Sequence, residues 1–433
     1  MAGKTVEAAM LGHCWGEAVM LGLDDVFVHS YKNDGVDVID ADSDEKMHIY
    51  SEPGHAGVIA DPHRIIRPDD WIIFIATSSS PKLAYGADRA DFAKEYEALK
   101  SKGDLTFVET PKKVMHVLVC GWRSEWNTTP ERFLDRLNDI ATNVAEGSTV
   151  TVVNRKDHKE FKRIVVGELG FEQIVENEKG GTFRLPQGTA GHNLELSHLT
   201  LDPADFETMR KVFKEQKAAG KLFDAAIVLG TVAGRVVSPY VMDARVLSIP
   251  LILRKLNPTG HPMHVVGENG EDQTSLLAIP PRLIQSSEAP DFINTQALIA
   301  RCLAMNLAYP QLWDALSELF KQGENLPDFD LLDASELGLV GRTTSFGVVN
   351  HILFDKYDGH AVCIGYILKS RLTAAPRPGT VMEWTADHRV AVIVRETSPE
   401  MRAKYGAKYG DIEAKYGSTT ALAKVDNQPP ALV

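Results

Sequence analysis

Between residues 114 and 323, short apolar runs alternate with longer stretches whose large apolar residues recur every three or four positions. That is the pattern of strands alternating with amphipathic helices. Residues 117–120 read as a strand. After it Phe133, Leu137, Ile140 and Val144 share one helical face, with Thr129 as N-cap and Pro130 at the first helical position. The spacing then predicts a strand at 149–153, a helix at 158–169, a strand at 196–201, a helix at 203–217 and a strand at 225–229. A helix at 241–256 is expected to break or kink at Pro250 before a strand at 263–267. This order predicts a parallel sheet covered on both faces. Two further helices, 291–307 and one from Pro310 that carries Leu312, Trp313, Leu316, Leu319 and Phe320, are apolar on more than one face. Such helices are expected to be wedged between lobes or subunits.

The flanks have a different rhythm. Residues 4–77 are short-patterned and β-rich, with Phe27-Val28 and a strand at 71–76 that follows the turn Arg67-Pro68-Asp69-Asp70. Residues 81–113 are rich in Lys, Glu, Ala and Asp and read as an exposed helical linker. After a loop at 323–333, residues 339–396 form a second small α+β unit with a final strand at 390–394. It repeats the first: Gly22 and Gly365 close corresponding strands, and Pro68-Asp69-Asp70 parallels Ala386-Asp387-His388. The Gly-Gly pair 180–181 and Gly188 read as turn residues. The tail, with Ala-Lys-Tyr-Gly repeated from Ala403, Ala407 and Ala414, reads as disordered. The expected architecture is α/β: a Rossmann-like parallel sheet at 114–323, flanked by small α+β subdomains at 1–80 and 324–396, with 81–113 as linker and 397–433 as tail.

Composition narrows the function classes. With 433 residues, 44% hydrophobic and 24% charged, more than one packed domain is expected. A formal net charge of −13 argues against a surface that tracks nucleic acid or anionic lipid. Cys14, Cys120, Cys302 and Cys363 lie far apart among apolar neighbours, as buried thiols in a reducing compartment do. No secretory signal is visible, and no apolar run approaches the roughly 18–20 residues that span a bilayer. The chain itself reads as soluble.

The most informative stretch is His116-Val-Leu-Val-Cys-Gly-Trp-Arg123. A dinucleotide site needs G-x-G-x-x-G so that backbone N–H groups approach a pyrophosphate at a helix start. Here Gly121 stands alone, with Trp122 and Arg123 where close approach is required. The next strand ends in Asn154-Arg155, without the acidic residue that grips a ribose. No nucleophile elbow, P-loop or zinc-protease spacing occurs either. The expectation is a Rossmann-like fold used for regulation, with no catalytic residues and no bound dinucleotide. The alternative is an oxidoreductase or nucleotide-dependent transferase that holds its cofactor through a non-standard loop at Gly121. Trp122 and Arg123 are expected to serve the fold, the guanidinium pairing a buried carboxylate or stacking on a ring.

The chain resembles the cytosolic region of the Castor/Pollux family of cation channels, which contains tandem RCK-type modules. The resemblance rests on Val119-Cys120-Gly121-Trp122-Arg123, on residues 291–320 and on Ile364-Gly365-Tyr366, and covers about 4–396. It implies that 4–77 correspond to the back half of a first module and 114–396 to a whole second module. The chain departs from the family in lacking pore helices and the Rossmann half of the first module, and in placing Ile367 where Arg tends to follow Gly-Tyr. The first two departures read as a truncated gene model or a free-standing regulatory subunit. The resemblance implies gating by cytosolic cations, calcium above all. It also implies self-association through 291–320 and a pore-containing partner subunit at the nuclear envelope or an organelle membrane, with these modules on its cytosolic face.

Calcium takes six to eight oxygen ligands, so the resemblance directs attention to acidic clusters. Asp40, Asp42, Asp44 and Glu45 begin like an EF-hand loop but lack Gly at the sixth place and Glu at the twelfth. Asp202 and Asp205, with Glu207, follow the third strand, and Glu268 and Asp272, with Glu271, follow a later one, on the rim where open α/β sheets bind ligands. Asp202, Asp205, Glu268 and Asp272 are therefore the candidate cation ligands. Asp202, immediately before Pro203, is equally placed to cap a helix.

Overall fold

The computed structural model describes residues 18–24, 56–59, 66, 71–76, 89–101, 105, 107, 111–177, 180–186, 194–230, 238–271, 274, 291–309, 312–320, 326–368 and 371–395. The expected features at Phe27-Val28, Asp40–Glu45, Gly188 and 397–433 lie outside them. The chain divides into two compact units. One comprises 107–310 with 367–372, and the other 1–106, 311–366 and 373–433.

In chain order the elements begin with strands β1 (Ala18–Asp24), β2 (Ala56–Val58) and β3 (Trp71–Ala76), then helix α1 (Arg89–Ser101). The central unit follows: β4 (His116–Cys120), α2 (Glu131–Asn143), β5 (Thr149–Asn154), α3 (His158–Lys162, continued as a π-turn over Arg163–Glu168), and the strands β6 (Glu172–Asn177), β7 (Gly180–Arg184) and β8 (Glu195–Thr200). It ends with α4 (Phe206–Ala218), β9 (Ala225–Val228), α5 (Pro239–Leu256), β10 (His264–Asn269), β11 (Asp291–Asn294) and α6 (Thr295–Ala308).

These strands form one sheet in the order β11-β10-β9-β4-β5-β8-β7-β6. From β11 to β8 all neighbours are parallel, and β7 and β6 are added antiparallel. Numbered along the chain, the six parallel strands lie 3-2-1-4-5-6, the Rossmann order. The reason is legible in β5, Thr-Val-Thr-Val-Val-Asn, in which every residue is buried, as a strand covered on both faces requires. One face packs Val117, Val119, Val150, Val152 and Leu196 against α2 and α3. The other packs Leu118, Cys120, Ala226 and Val228 against α4 and α5.

Several details differ from the pattern-based expectation. Residues 291–294 pair with β10 as a sixth parallel strand, where a helix was expected to start. Pro250 sits inside α5 without ending it. The hairpin β6–β7 was not expected, and Gly180 and Gly181 lie in β7, not in a turn. A Cβ at Gly180 would come within 2.1 Å of the His198 carbonyl oxygen, so the pairing of β7 with β8 itself demands glycine there.

Beneath this hairpin lies a buried polar row. Asn154 Oδ1 accepts the Lys156 N–H at 2.8 Å and faces His198 Nε2 at 3.3 Å, so Nε2 carries the proton of His198. His198 Nδ1 is therefore an acceptor, and His158 Nδ1–H donates to it at 3.1 Å. His158 Nε2 is left with a lone pair, 4.0 Å from the Glu176 carboxylate. Phe161 stacks on the His198 ring at 3.8 Å. Burial first, then the charges of His158 and Lys156, push His198 down to about 3. Burial likewise lowers His158, against the pull of Glu176. His198 is therefore neutral in the folded chain at neutral pH.

The second unit completes the chain with α7 (Leu312–Phe320), β12 (Pro327–Asp333), β13 (Thr343–Ser345), α8 (Phe346–Lys356), β14 (Ala361–Leu368), β15 (Arg371–Ala374), β16 (Val381–Glu383) and β17 (His388–Arg395). Its sheets are β2-β1-β3, β12-β17-β14-β15 and β13-β16. The early and late segments are one body. Val58, Ile59 and Ile73 pack with Ala315, Val362 and Ile393. Buried Arg395 donates to the Val58 carbonyl at 2.6 Å and to Glu318 Oε1 at 2.9 Å, while Glu318 Oε2 accepts the Val58 N–H at 2.8 Å. Two expectations are thereby corrected. Residues 81–113 are not simply an exposed linker, because α1 buries Tyr96 and sets Phe92 where a Cβ of Gly347 in α8 would come within 2.8 Å. Helix α7 belongs with this unit and not with the parallel sheet, because Leu312, Ala315 and Leu319 pack with Val58 of β2, Ile73 of β3, Val362 of β14 and Ile393 of β17.

Two consequences are measurable. Gly180→Ala is expected to lower the unfolding free energy by about 2 kcal/mol or more, as forced strand separation does, read from the denaturant midpoint. Below pH of about 6.5 the unfolded chain binds protons at His158 and His198 that the folded chain refuses, so stability falls as pH drops. For His198 alone the slope is about 1.4 kcal/mol per pH unit. Denaturant midpoints between pH 6.5 and 5 should show it, and His198→Gln should flatten it; an unchanged slope in that variant would refute the assignment.

Candidate functional site

In this topology β5 and β9 flank β4 on opposite sides, so the chain leaves the carboxyl ends of β4 and β9 in opposite directions and opens a crevice there. Four of the residues singled out from sequence, Cys120 to Arg123, stand at its lip. Cys120 is fully buried in the sheet, and burial pushes its thiol up to about 12, which makes it inert at neutral pH. Gly121 has φ of +123° and donates its N–H to the Val153 carbonyl at 2.9 Å. A Cβ there would lie 3.0 Å from Leu229 Cβ, so the loop after β4 is pressed against the end of β9.

Trp122 turns inward. Its indole is buried, with the rings of Trp126, Phe133 and Phe161 at 5.0, 5.0 and 5.2 Å. Its Nε1–H donates to Asn127 Oδ1 at 2.8 Å, and Lys156 Nζ donates to the same oxygen at 2.8 Å. A 3₁₀ turn, Ser124–Asn127, follows before α2 begins at Glu131. The N–H groups of Trp126, Thr128 and Thr129 all go to backbone carbonyls within this turn. A phosphate cradle needs free N–H groups at a helix start directly after the strand. Here ten residues separate strand from helix, and these amides are already bonded.

Arg123 instead reaches across the crevice. Its Nη2 donates to Glu268 Oε1 at 2.8 Å, and the Thr295 hydroxyl donates to the same oxygen at 3.2 Å. Glu268 Oε2 accepts the Gly230 N–H at 3.2 Å. The Glu268 side chain is only 14% exposed, and Arg123 also lies 3.7 Å from the exposed Glu125. The ends of β4, β9 and β10 and the first residue of α6 thus converge on one carboxylate. Pairing of Arg123 with a buried carboxylate was legible as a type of contact. Glu268 as its partner was not, nor were Gly230 and Thr295, because strand order alone brings these four segments together.

The other candidate carboxylates are engaged too. Asp202 pairs with Arg155 and with Arg245, the latter at 2.8 Å, and accepts the Ala204 N–H at 3.1 Å. Burial would raise its pKa, but Arg245, the Ala204 N–H and Arg155 outweigh this and hold it below the usual carboxylate range. The cap of α4 is Asp205, not Asp202. Asp205 accepts from the Thr208 hydroxyl at 2.7 Å, which does most to lower its pKa, and from the Glu207 N–H at 3.0 Å. Asp272 lies outside the described residues. Buried Asp243 was not singled out from sequence. It accepts the N–H groups of Gly270 and Glu271 at 2.7 and 3.1 Å and so pins the loop after β10. Among the described residues no three His, Cys, Asp or Glu side chains are grouped to hold a metal.

No family model matches the chain, and no curated protein matches it. Among solved structures it is similar to a short-chain dehydrogenase from Oenococcus oeni PSU-1, at 12% identity over 48% of this chain and 94% of that one, with a TM-score of 0.25. It is also similar to FtsY from Mycoplasma mycoides, at 12% identity over 46% of this chain and 58% of that one, with a TM-score of 0.19. The strand order, not these likenesses, carries the fold assignment.

Proposed function

We propose that this chain is a regulatory, RCK-like gating region of a Castor/Pollux-type cation channel, a Rossmann-like unit that transmits a ligand-dependent change without catalysing a reaction. One observation supports this most. Thr295, which hydrogen-bonds to Glu268 in the crevice, is the first residue of α6, a helix with no buried residue. Leu298, Ile299, Leu303 and Leu307 of this helix are 42%, 60%, 60% and 85% exposed. An apolar helix left uncovered calls for a partner surface, and a second copy of the chain is the partner the reading assigns. Rearrangement at Glu268 then has a covalent route to the surface that assembles.

The trigger in this reading is a cytosolic cation such as calcium. Asp202, Asp205 and Glu268 are the candidate ligands that fall among the described residues, and two of them are held by arginines. A cation acting at Asp202 or at Glu268 must take that carboxylate from its arginine partners, so binding and rearrangement are one event. A ligand shifts an equilibrium only by its differential affinity for the two states, and exchange of ion pairs supplies that difference. Among the described residues no helix is long and apolar enough to cross a membrane, and the reading assigns the pore to a partner subunit.

Sedimentation velocity tests both parts. The wild-type chain should sediment as an oligomer, and Ile299→Asp or Leu303→Asp should shift it to monomer without lowering its melting temperature. Calcium at micromolar to millimolar concentration, in the range of about 10⁻⁶–10⁻³ M set by sensor and extracellular sites, should change the hydrodynamic radius while magnesium does not. An unchanged radius and unchanged melting temperature under calcium would sink the gating reading.

A further inference from the structure

The hydrogen bonds at the crevice have the polarity of an anion site. Three donors from three separate segments point at one place: the Arg123 guanidinium after β4, the Gly230 N–H after β9 and the Thr295 hydroxyl at the start of α6. What fills that place is the carboxylate of the protein's own Glu268, projected from β10. We propose that the crevice is a self-occupied anion site, in which the phosphate group of a small ligand replaces the Glu268 carboxylate on Arg123, Gly230 and Thr295.

The chemistry of the occupant follows from the competition. Glu268 is tethered, so it acts at a high effective concentration, and a free monocarboxylate offering the same two oxygens and the same single charge has no advantage over it. A phosphate monoester or inorganic phosphate carries about −1.5 to −2 charge at pH 7 and three acceptor oxygens, enough for the three donors at once. The planar guanidinium of Arg123 can grip two of those oxygens side by side. The site therefore selects a dianionic phosphate, and binds it weakly while Glu268 is present. A dinucleotide is disfavoured because the N–H groups of Gly121, Trp126, Thr128 and Thr129 in this loop are already bonded to the Val153, Arg123 and Glu125 carbonyls. Displacement breaks the Glu268–Thr295 bond, so phosphate would act on the start of α6. The inference rests on the donors at the crevice and not on the gating reading, because it concerns a different ligand and stands whether or not calcium binds.

The test is calorimetry of the full chain with inorganic phosphate and with adenosine monophosphate, against sodium chloride at matched ionic strength. Glu268→Ala removes the internal competitor and should lower the dissociation constant for phosphate by about tenfold or more, because the binding-competent fraction rises. Glu268→Gln, which keeps the side-chain shape and loses the charge, should do the same to a smaller extent. Adding Arg123→Gln to Glu268→Ala should abolish the gain. Glu215→Gln, an exposed position on α4, controls for net charge and should change nothing. Preference for adenosine monophosphate would identify a phosphomonoester as the ligand, and equal binding would identify phosphate itself. The proposal is overturned if both Glu268 variants melt like wild type yet bind phosphate no tighter, if the gain survives loss of Arg123, or if Glu215→Gln matches it. Should neither Glu268 variant fold, the wild-type chain decides: phosphate-specific thermal stabilisation beyond the chloride control supports the site, and its absence overturns it.

Discussion

The burial of Trp122 directly after β4 is the constraint on which the carboxyl edge of the sheet depends. An indole of this size cannot enter the core unless the chain turns inward at Gly121, and the turn is possible because Gly121 takes a positive φ and lies against Leu229 with no Cβ. Once the indole is seated among Trp126, Phe133 and Phe161, the next residue is carried over the crevice, and Arg123 meets Glu268. The cluster is expensive to disturb, since truncating a buried Trp or Phe costs about 3–5 kcal/mol. The same packing that stabilises the sheet therefore removes the geometry a pyrophosphate needs.

Ion pairs along this edge follow one pattern. Each rim carboxylate that points across the sheet ends is met by guanidinium: Glu268 by Arg123, and Asp202 by Arg155 and Arg245. Half-buried pairs of this kind contribute little net stability, because desolvation offsets much of the attraction, yet removing one partner leaves a charge stranded. They suit a site whose occupancy changes, since the exchange of one partner for another costs less than creating a charge in the interior.

The parallel sheet was legible because β4 and β9 are nearly continuous apolar runs, while β5 and β8 set Val or Leu between polar residues, and helical periods separate them. Three features escaped the pattern. Strand β11, Asp-Phe-Ile-Asn, alternates exposed and half-buried positions at the sheet's edge, and it runs straight into α6, so four residues of strand merge with a helical period. Hairpin β6–β7 carries Glu172, Glu176 and Gly180-Gly181, which look like loop chemistry, and only the approach of the His198 backbone explains the glycine. Pro250 was expected to break or kink α5, and the helix continues through it because tertiary packing of Val246, Ile249 and Leu253 holds both sides. At the site, Trp122 and Arg123 announced themselves as misfits in a nucleotide fingerprint. Glu268 became the partner of Arg123 only through strand order, which no local spacing encodes. The Asp205 cap was within reach: Asp205-Phe-Glu-Thr208 is a better capping sequence than Asp202-Pro203, because its side chain can meet two free N–H groups.

The central claim is that a sheet with Rossmann strand order has its dinucleotide crevice closed by its own side chains. Equilibrium titration of the wild-type chain with NADH, followed by quenching of tryptophan fluorescence and by calorimetry, tests it most directly. The account predicts no saturable binding up to about 1 mM, a concentration that fills ordinary cofactor sites. Saturable binding in the micromolar range, abolished by a substitution at Gly121 that leaves the melting temperature intact, would contradict it.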